Sequence, residues 1–138
     1  AIDLVSEFIP DGIVVQQRGK ERTETFRVNR NGRLLDMPVV ALVNRGSASA
    51  SEIMAGALRD RLGVKLVGEK TFGKGTVQEV QDLKGGAGLH ITIAEWLLPS
   101  GDNIHGDGLM ADVEVKDDPG TPEDEQILKA IEVLDEIR

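Results

Sequence analysis

The sequence predicts an α/β domain in which short strands alternate with a few helices. Two apolar runs, at residues 39–44 and 64–68, flank a helical pattern at residues 49–62. A strand–helix–strand unit of this kind predicts two parallel strands with a right-handed crossover. Alternating segments elsewhere predict further strands, and helical patterns at both ends predict two more helices. We therefore expect about six strands and three helices in one layered domain.

The composition is typical of a globular protein and disfavours some function classes. The chain has 138 residues, 40% of them hydrophobic, and no apolar run approaches the length of a membrane span. A formal net charge of −8 disfavours a general nucleic-acid binder. Cysteine is absent, and the two histidines, His90 and His105, lack the spacing of a metal site. We therefore expect neither a metal nor a cofactor.

The first nine residues predict a helix. Ile2, Val5 and Ile9 recur at helical spacing, but no capping residue precedes Ala1. We interpret this segment as a helix cut at its N-terminal end, which is unusual at a natural domain edge.

Residues 12–37 predict a strand followed by a β-hairpin. Residues 12–17 are strand-like, residues 23–28 alternate, and the Asn31-Gly32 pair signals a turn before a returning strand at 34–37. Six Lys or Arg residues make residues 18–33 locally basic. A solvated hairpin face is the favoured interpretation, and a contact surface for another domain or a subunit is the alternative.

The central unit begins with an apolar, β-branched run at residues 39–44, which is typical of a fully buried strand. Small residues follow, and the helix of residues 49–62 carries an apolar stripe before Gly63, a plausible C-terminal stop. This stripe comprises Ile53, Met54, Ala57, Leu58 and Leu62. The next strand, at 64–68, is short and apolar.

Two further strands and a helix complete the chain. Residues 76–81 and 89–98 predict strands joined by a glycine-rich loop. Residues 112–138 hold ten acidic and three basic residues, a local charge of about −7. Within them, Thr121 followed by Pro122 and two acids predicts the start of an amphipathic helix that packs back onto the domain.

Three serines lie between the first central strand and the helix. Ser49 and Glu52 fit a capping box, so capping is the structural interpretation of Ser47, Ser49 and Ser51. A strand, a tight turn and a helix start also present a nucleophile well, because N–H groups at the helix start stabilise a developing negative charge. Each serine alone favours capping.

A nucleophilic serine needs a base to take its proton. With no cysteine and both histidines far along the chain, Lys74 becomes a candidate, although alone it looks like an exposed loop residue. A lysine is a base only when neutral, and the ordinary lysine pKa of about 10.4 must then fall by roughly three units. Burial in a dry pocket has this effect, and Gly73 and Gly75 allow close packing around the lysine.

The serine turn and the lysine loop together closely resemble the two signature motifs of the carboxyl-terminal processing proteases, also called tail-specific proteases. The motifs lie at residues 46–53, Gly-Ser-Ala-Ser-Ala-Ser-Glu-Ile, and at residues 68–78, Gly-Glu-Lys-Thr-Phe-Gly-Lys-Gly-Thr-Val-Gln. The resemblance implies that Ser49 is the nucleophile, that Lys74 is the general base and that Gln78 orients the lysine.

Two further positions enter as candidates. The Ala50 N–H, at the helix start, would be one oxyanion donor. Asp60 matches a position that affects activity in some family members. An aspartate between Arg59 and Arg61 on a helix is more often simply solvated, so Asp60 is the weaker candidate.

The resemblance extends over nearly the whole chain. Residues 89–101 resemble the family strand that ends in Pro-Ser-Gly, and residues 108–115 resemble its Gly-Ile-x-Pro-Asp element, with Ala111 in place of the proline. The fold it implies is a ClpP/crotonase-like layered mixed sheet with packed helices. Residues 1–138 would be a partial catalytic core, truncated at its N-terminal side, with an upstream core strand and a PDZ domain outside this chain.

Two functions from different classes remain open. The first is a serine endopeptidase that cuts proteins near accessible C-termini through an acyl-enzyme. The second is a non-catalytic interaction domain, or an inactive fragment, that keeps the fold; the presence of Ser49, Lys74 and Gln78 argues against it. The resemblance suggests a bacterial, extracytoplasmic protein of the periplasm or cell envelope. It also implies that the upstream strand supplies a second oxyanion N–H, so we expect the isolated chain to be nearly inactive and to self-associate.

Overall fold

A computed structural model describes all 138 residues and shows an α/β chain of three helices and seven strands. In chain order the elements are α1 (Ile2–Val5), β1 (Ile13–Gly19), β2 (Thr23–Arg27), β3 (Val40–Val43), α2 (Ala50–Leu62), β4 (Lys65–Gly68), β5 (Thr76–Asp82), β6 (Gly88–Leu97), β7 (Val113–Glu114) and α3 (Glu125–Glu136). The α/β class predicted from the sequence is confirmed.

Parallel and antiparallel strands separate into two sheets. Four strands form an antiparallel sheet in the order β2-β1-β6-β5. Three strands form a parallel sheet in the order β3-β4-β7. The predicted strand–helix–strand unit is therefore present as β3, α2 and β4, with its strands parallel.

The hydrophobic core forms where α2 packs against both sheets. Its largest fully buried side chains include aliphatic residues of α2, β1, β4 and the loops around them. These residues are Val5, Ile9, Val14, Val15, Leu58, Leu66, Leu98 and Ile104. The helix closes as expected at Gly63, which adopts the left-handed conformation (φ 68°) that a C-terminal stop requires.

The predicted hairpin at residues 23–37 is wrong. β2 pairs instead with the preceding strand β1, and residues 34–37 form no strand. Gly32 packs against the turn that follows α1. In this turn, the Glu7 carboxylate accepts the Arg33 N–H at 3.2 Å. A Cβ on Gly32 would lie 2.4 Å from the Glu7 carbonyl oxygen. Glycine is therefore needed for a close backbone contact rather than for a hairpin turn.

Both terminal helices are shorter than the sequence indicates. α1 ends at Val5, although Val5 and Ile9 are buried as their spacing suggests. α3 begins at Glu125, with Asp124 as N-cap accepting the Ile127 N–H at 2.8 Å. The predicted cap, Thr121, lies in the preceding turn and donates its hydroxyl proton to Glu125.

The prediction that the first central strand is fully buried is also wrong for this chain. β3 lies at the edge of the parallel sheet, with β4 on one side and no strand on the other. Only Val43 of β3 is buried, and Leu42 is 49% exposed. Apolar grooves run along β3, one beside α2 and one beside α3. The open edge thus exposes both backbone groups and apolar side chains.

The β5–β6 hairpin, predicted from the sequence, extends into solvent. The first six residues of β6 and the last five of β5 are exposed. Among them, Leu89, Ile91 and Ile93 are apolar residues at alternate positions, which places them on one face of the hairpin.

None of the helices is long and apolar enough to cross a membrane.

Candidate active site

The candidate nucleophile lies at a strained backbone position. Ser49 is the N-cap of α2 and has φ 54° and ψ −113°, a conformation that L-residues rarely adopt. It is the only residue other than glycine with a positive φ. Such strain costs about 1–3 kcal/mol and persists only where the surroundings enforce it, often at functional sites.

The carboxylate of Glu52, which is 0% exposed, binds the backbone of this strained residue. Glu52 Oε2 accepts the Ser49 N–H at 2.9 Å and the Lys74 N–H at 2.9 Å. Glu52 Oε1 accepts the Gly73 N–H at 2.7 Å and the hydroxyl proton of Thr71. One buried oxygen therefore binds the backbone of both predicted catalytic residues.

Sequence reasoning found Glu52 only as half of a capping box. The capping arrangement exists, but the Ser49 hydroxyl does not reach the geometry of a capping hydrogen bond. A signal for burial was available, because the residues three and four positions after Glu52 are Ala55 and Gly56. Both are small and buried, and the Leu98 side chain packs closely against Gly56.

The loop that carries Lys74 is held from several sides. Phe72 donates its N–H to Ser47 O at 2.9 Å, which ties the loop to the serine turn. Gly73 O accepts the Gly106 N–H at 3.0 Å. A Cβ on Gly75 would lie 2.6 Å from His105 N, so this glycine permits a close contact between two loops. These contacts fix the backbone of the lysine loop.

The side chains of Ser49 and Lys74 are less constrained than their backbones. Lys74 is exposed, and no hydrogen bond or ion pair of its ammonium group is present. The Ser49 hydroxyl is partly exposed and is not hydrogen-bonded to the lysine. The dry pocket considered from the sequence is therefore not formed by this chain alone. The structure brings the two backbones together without closing the serine–lysine contact.

Gln78 lies on β5, immediately after an irregularity in the strand register between Val77 and Gln78. It pairs with Thr92 of β6 and is exposed. No hydrogen bond joins its side chain to Lys74. The orienting role of Gln78 stays a prediction.

The two further candidates, Ala50 and Asp60, occupy different ends of α2. Ala50 is the first residue of the helix, and its N–H has no intrahelical partner, as for every first turn. Asp60 lies eleven positions after Ser49, about 16 Å along the helix axis, and its carboxylate accepts the Ser100 N–H at 3.0 Å. The position of Asp60 suits a role in holding the turn after β6.

Comparison with known proteins assigns the family. The model of "Peptidase family S41" matches residues 1–115. The chain belongs to peptidase family S41. It is 40% identical over 141 aligned residues to a carboxyl-terminal-processing protease of Synechocystis, covering 96% of this chain and 33% of that protein. It is 42% identical to a "Probable CtpA-like serine protease" of Staphylococcus haemolyticus, covering 83% of this chain and 24% of that protein.

Solved structures of proteases agree with the fold. The chain is similar to a photosystem II D1 C-terminal processing protease, with a TM-score of 0.76 and 35% identity over 83% of this chain and 30% of that chain. It also shares its fold with an S41 protein of Bacteroides fragilis, with a TM-score of 0.78 and 16% identity over 99% of this chain and 41% of that chain. The chain thus spans a third or less of the length of the curated relatives cited here.

Proposed function

We propose that the protein containing this chain is a serine endopeptidase that cuts polypeptides near their C-termini, with Ser49 as nucleophile and Lys74 as general base. The observation that carries the proposal is the Glu52 carboxylate, which binds the Ser49 and Lys74 N–H groups through one oxygen at 2.9 Å each. The names of the S41 relatives, which include carboxyl-terminal-processing and serine proteases, support it.

In the proposed reaction, Ser49 Oγ attacks the scissile carbonyl carbon while the neutral amine of Lys74 takes the hydroxyl proton. The Ala50 N–H donates to the resulting oxyanion. When the tetrahedral intermediate collapses, the peptide C–N bond breaks and Lys74 returns the proton to the leaving amine. Water, with Lys74 again as base, then hydrolyses the acyl-enzyme and frees Ser49. Gln78 would orient the amine.

The strained turn contributes preorganisation to this scheme. A nucleophile on a sharp strand-to-helix turn presents its hydroxyl away from the backbone and beside the helix N-terminus. Glu52 holds Ser49 in that conformation before substrate arrives. The barrier is lowered because the reacting groups need not be reorganised in the transition state.

Residues 1–138 supply only part of the proposed site. Lys74 is exposed here, and β3 has an open edge. We propose that segments of the longer protein cover the amine, pair with β3 and add a second oxyanion donor, and that a PDZ domain there binds substrate. In the isolated chain, a second copy would cover the β3 edge, and turnover would be low because one missing oxyanion donor costs about 10²–10³ in rate.

The proposed substrates are polypeptides with accessible C-termini. The cited curated relatives are bacterial. We extend the proposal to an extracytoplasmic setting, the periplasm or cell envelope, on the strength of the family alone. Fractionation of the source cells, with antibody detection, tests that part separately.

The alternative is a non-catalytic interaction domain that keeps the S41 fold. The open β3 edge, with apolar grooves on both sides, is the observation that favours it, since edges of this kind bind extended peptides by strand addition. An unreactive Ser49 would distinguish this function from a peptidase.

Labelling of the full-length protein with a fluorophosphonate tests the proposal directly. We expect the probe to modify Ser49, as located by mass spectrometry of the digested protein. Ser51→Ala is the matched control, because Ser51 lies two residues later, at the start of α2, and is exposed. Labelling that survives in Ser49→Ala would reject Ser49 as the nucleophile.

A further inference from the structure

Thr71 connects the lysine loop to a third segment of the chain that the proposed mechanism does not use. Its side chain is buried, with 5% of the residue exposed. The hydroxyl donates to Glu52 Oε1 and accepts the Leu109 N–H at 2.7 Å. The Thr71 N–H also donates to Leu109 O at 2.9 Å. Thr71 therefore lies between the buried carboxylate and the turn at residues 106–109.

Glycines allow the lysine loop and this turn to touch. A Cβ on Gly108, which has φ +63°, would lie 2.6 Å from Thr71 O. A Cβ on Gly73, which has φ +89°, would lie 2.9 Å from Gly108 N. The turn thus contacts the backbone on both sides of Phe72, and the two segments pack closely together.

We propose that Thr71 is a positioning residue that sets the placement of Lys74 through Glu52. This inference rests on the proposed function, in which Lys74 is the base. The hydroxyl fixes Glu52 Oε1, and the other oxygen of that planar carboxylate binds the Ser49 and Lys74 N–H groups. Rotation of the carboxylate would move both hydrogen bonds at once, and the Thr71 hydroxyl opposes this rotation.

The residue type fits the role. The hydroxyl must donate to one partner and accept from another, and only serine shares this capacity at similar size. The β-branched side chain of threonine also restricts its χ1 rotamers, so the hydroxyl is directed at low entropic cost. Valine has nearly the same shape but neither capacity, and it leaves the Thr71–Leu109 backbone hydrogen bond in place.

The test compares Thr71→Val and Thr71→Ser in the full-length protein. We expect Thr71→Val to lower kcat by up to about a hundredfold, with KM nearly unchanged, and to slow fluorophosphonate labelling of Ser49 in proportion. Thr71→Ser should restore both. The control is Thr25→Val, at an exposed strand position on β2, which should leave turnover and labelling at wild-type levels.

The outcomes separate this inference from the proposed function. Wild-type kcat in Thr71→Val, with Ser49→Ala inactive, would overturn the role of Thr71 and leave the peptidase intact. Turnover in Ser49→Ala or Lys74→Ala would overturn the function itself. If Thr71→Val does not fold, Gly108→Ala decides, because its Cβ would press on the carbonyl and hydroxyl oxygens of Thr71; unchanged kcat there overturns the inference.

Discussion

Two neighbouring regions differ in burial. One is the junction where the serine turn meets the lysine loop, and the other is the β5–β6 hairpin that follows this loop. The junction, defined by Ser49, Glu52, Thr71, Gly73 and Lys74, centres on a fully buried carboxylate that accepts four hydrogen bonds. The β5–β6 hairpin is exposed along most of its length. Lys74 lies two residues before the hairpin, and its N–H is bound in the junction while its side chain is exposed.

This difference shows which part of the proposed site the chain determines by itself. Backbone positions at the junction are fixed by buried hydrogen bonds, which become stronger where water is excluded. The amine of Lys74 and the amide of Gln78 have no comparable support. Substitutions should therefore act differently depending on whether they remove the reacting groups, the buried support or the exposed side chains.

The largest effect should come from removing a reacting group. Ser49→Ala and Lys74→Ala should each lower peptide turnover of the full-length protein by at least about a thousandfold. The fold should remain because both residues are partly or fully exposed. Turnover and circular dichroism measure the two effects. Activity above that of a vector control in either variant would contradict the assignment of Ser49 as nucleophile and Lys74 as base.

Next in size is the loss of the buried support. Glu52→Gln keeps the shape of the side chain but replaces an acceptor oxygen with an NH2 group. At least one buried N–H or hydroxyl then lacks an acceptor, so we expect a loss of about 3 kcal/mol in the free energy of unfolding. Denaturant unfolding measures it.

The hairpin supplies the matched control for Glu52→Gln. Glu79→Gln makes the same chemical change at an exposed position of β5 and should change stability by less than about 0.5 kcal/mol. Equal effects of the two substitutions would contradict the proposed distinction between the junction and the hairpin.

A smaller effect is expected from Gln78→Ala on the hairpin. If Gln78 orients the neutral amine, kcat should fall by about tenfold, the equivalent of one lost hydrogen bond, while KM changes less. The wild-type rate should rise with pH, because only the deprotonated lysine accepts the serine proton. A rate that is flat between about pH 6 and 9 would speak against Lys74 as the base.

The smallest effect concerns Glu7, a second buried carboxylate, remote in sequence from the junction. The N–H of Arg33 donates to it, and this holds the pKa of Glu7 below its usual value of 4.5, with Arg30 and the Arg33 side chain adding to the effect. A lowered native pKa stabilises the fold above pH 4.5, and this stabilisation is lost as pH falls through the native pKa.

Glu7→Gln should therefore lower the melting temperature by a few degrees at pH 7 and by less at pH 3. Activity should not change, because this carboxylate supports the loop at residues 30–33. An identical loss at both pH values would mean that the charge of Glu7 contributes nothing.

Local signals in the sequence determined the class of the fold, the candidates Ser49 and Lys74, and most elements. The helix from Ser49 to Gly63 was predictable because its N-cap, apolar stripe and C-terminal glycine all lie within that segment. The hairpin of β5 and β6 was predictable for the same reason, since alternation and a glycine-rich loop are local. The two motifs gave the family because they are long and occur together.

Only the tertiary structure decided how these elements meet. Glu52 binds residues 19 to 22 positions away, Gly32 is required by the carbonyl of Glu7, and β2 pairs with β1. Each of these contacts is set by a partner distant in sequence, and no pattern within the segment records where that partner lies. The same limit hid the β3 edge, because an apolar strand looks alike whether one neighbour or two will cover it.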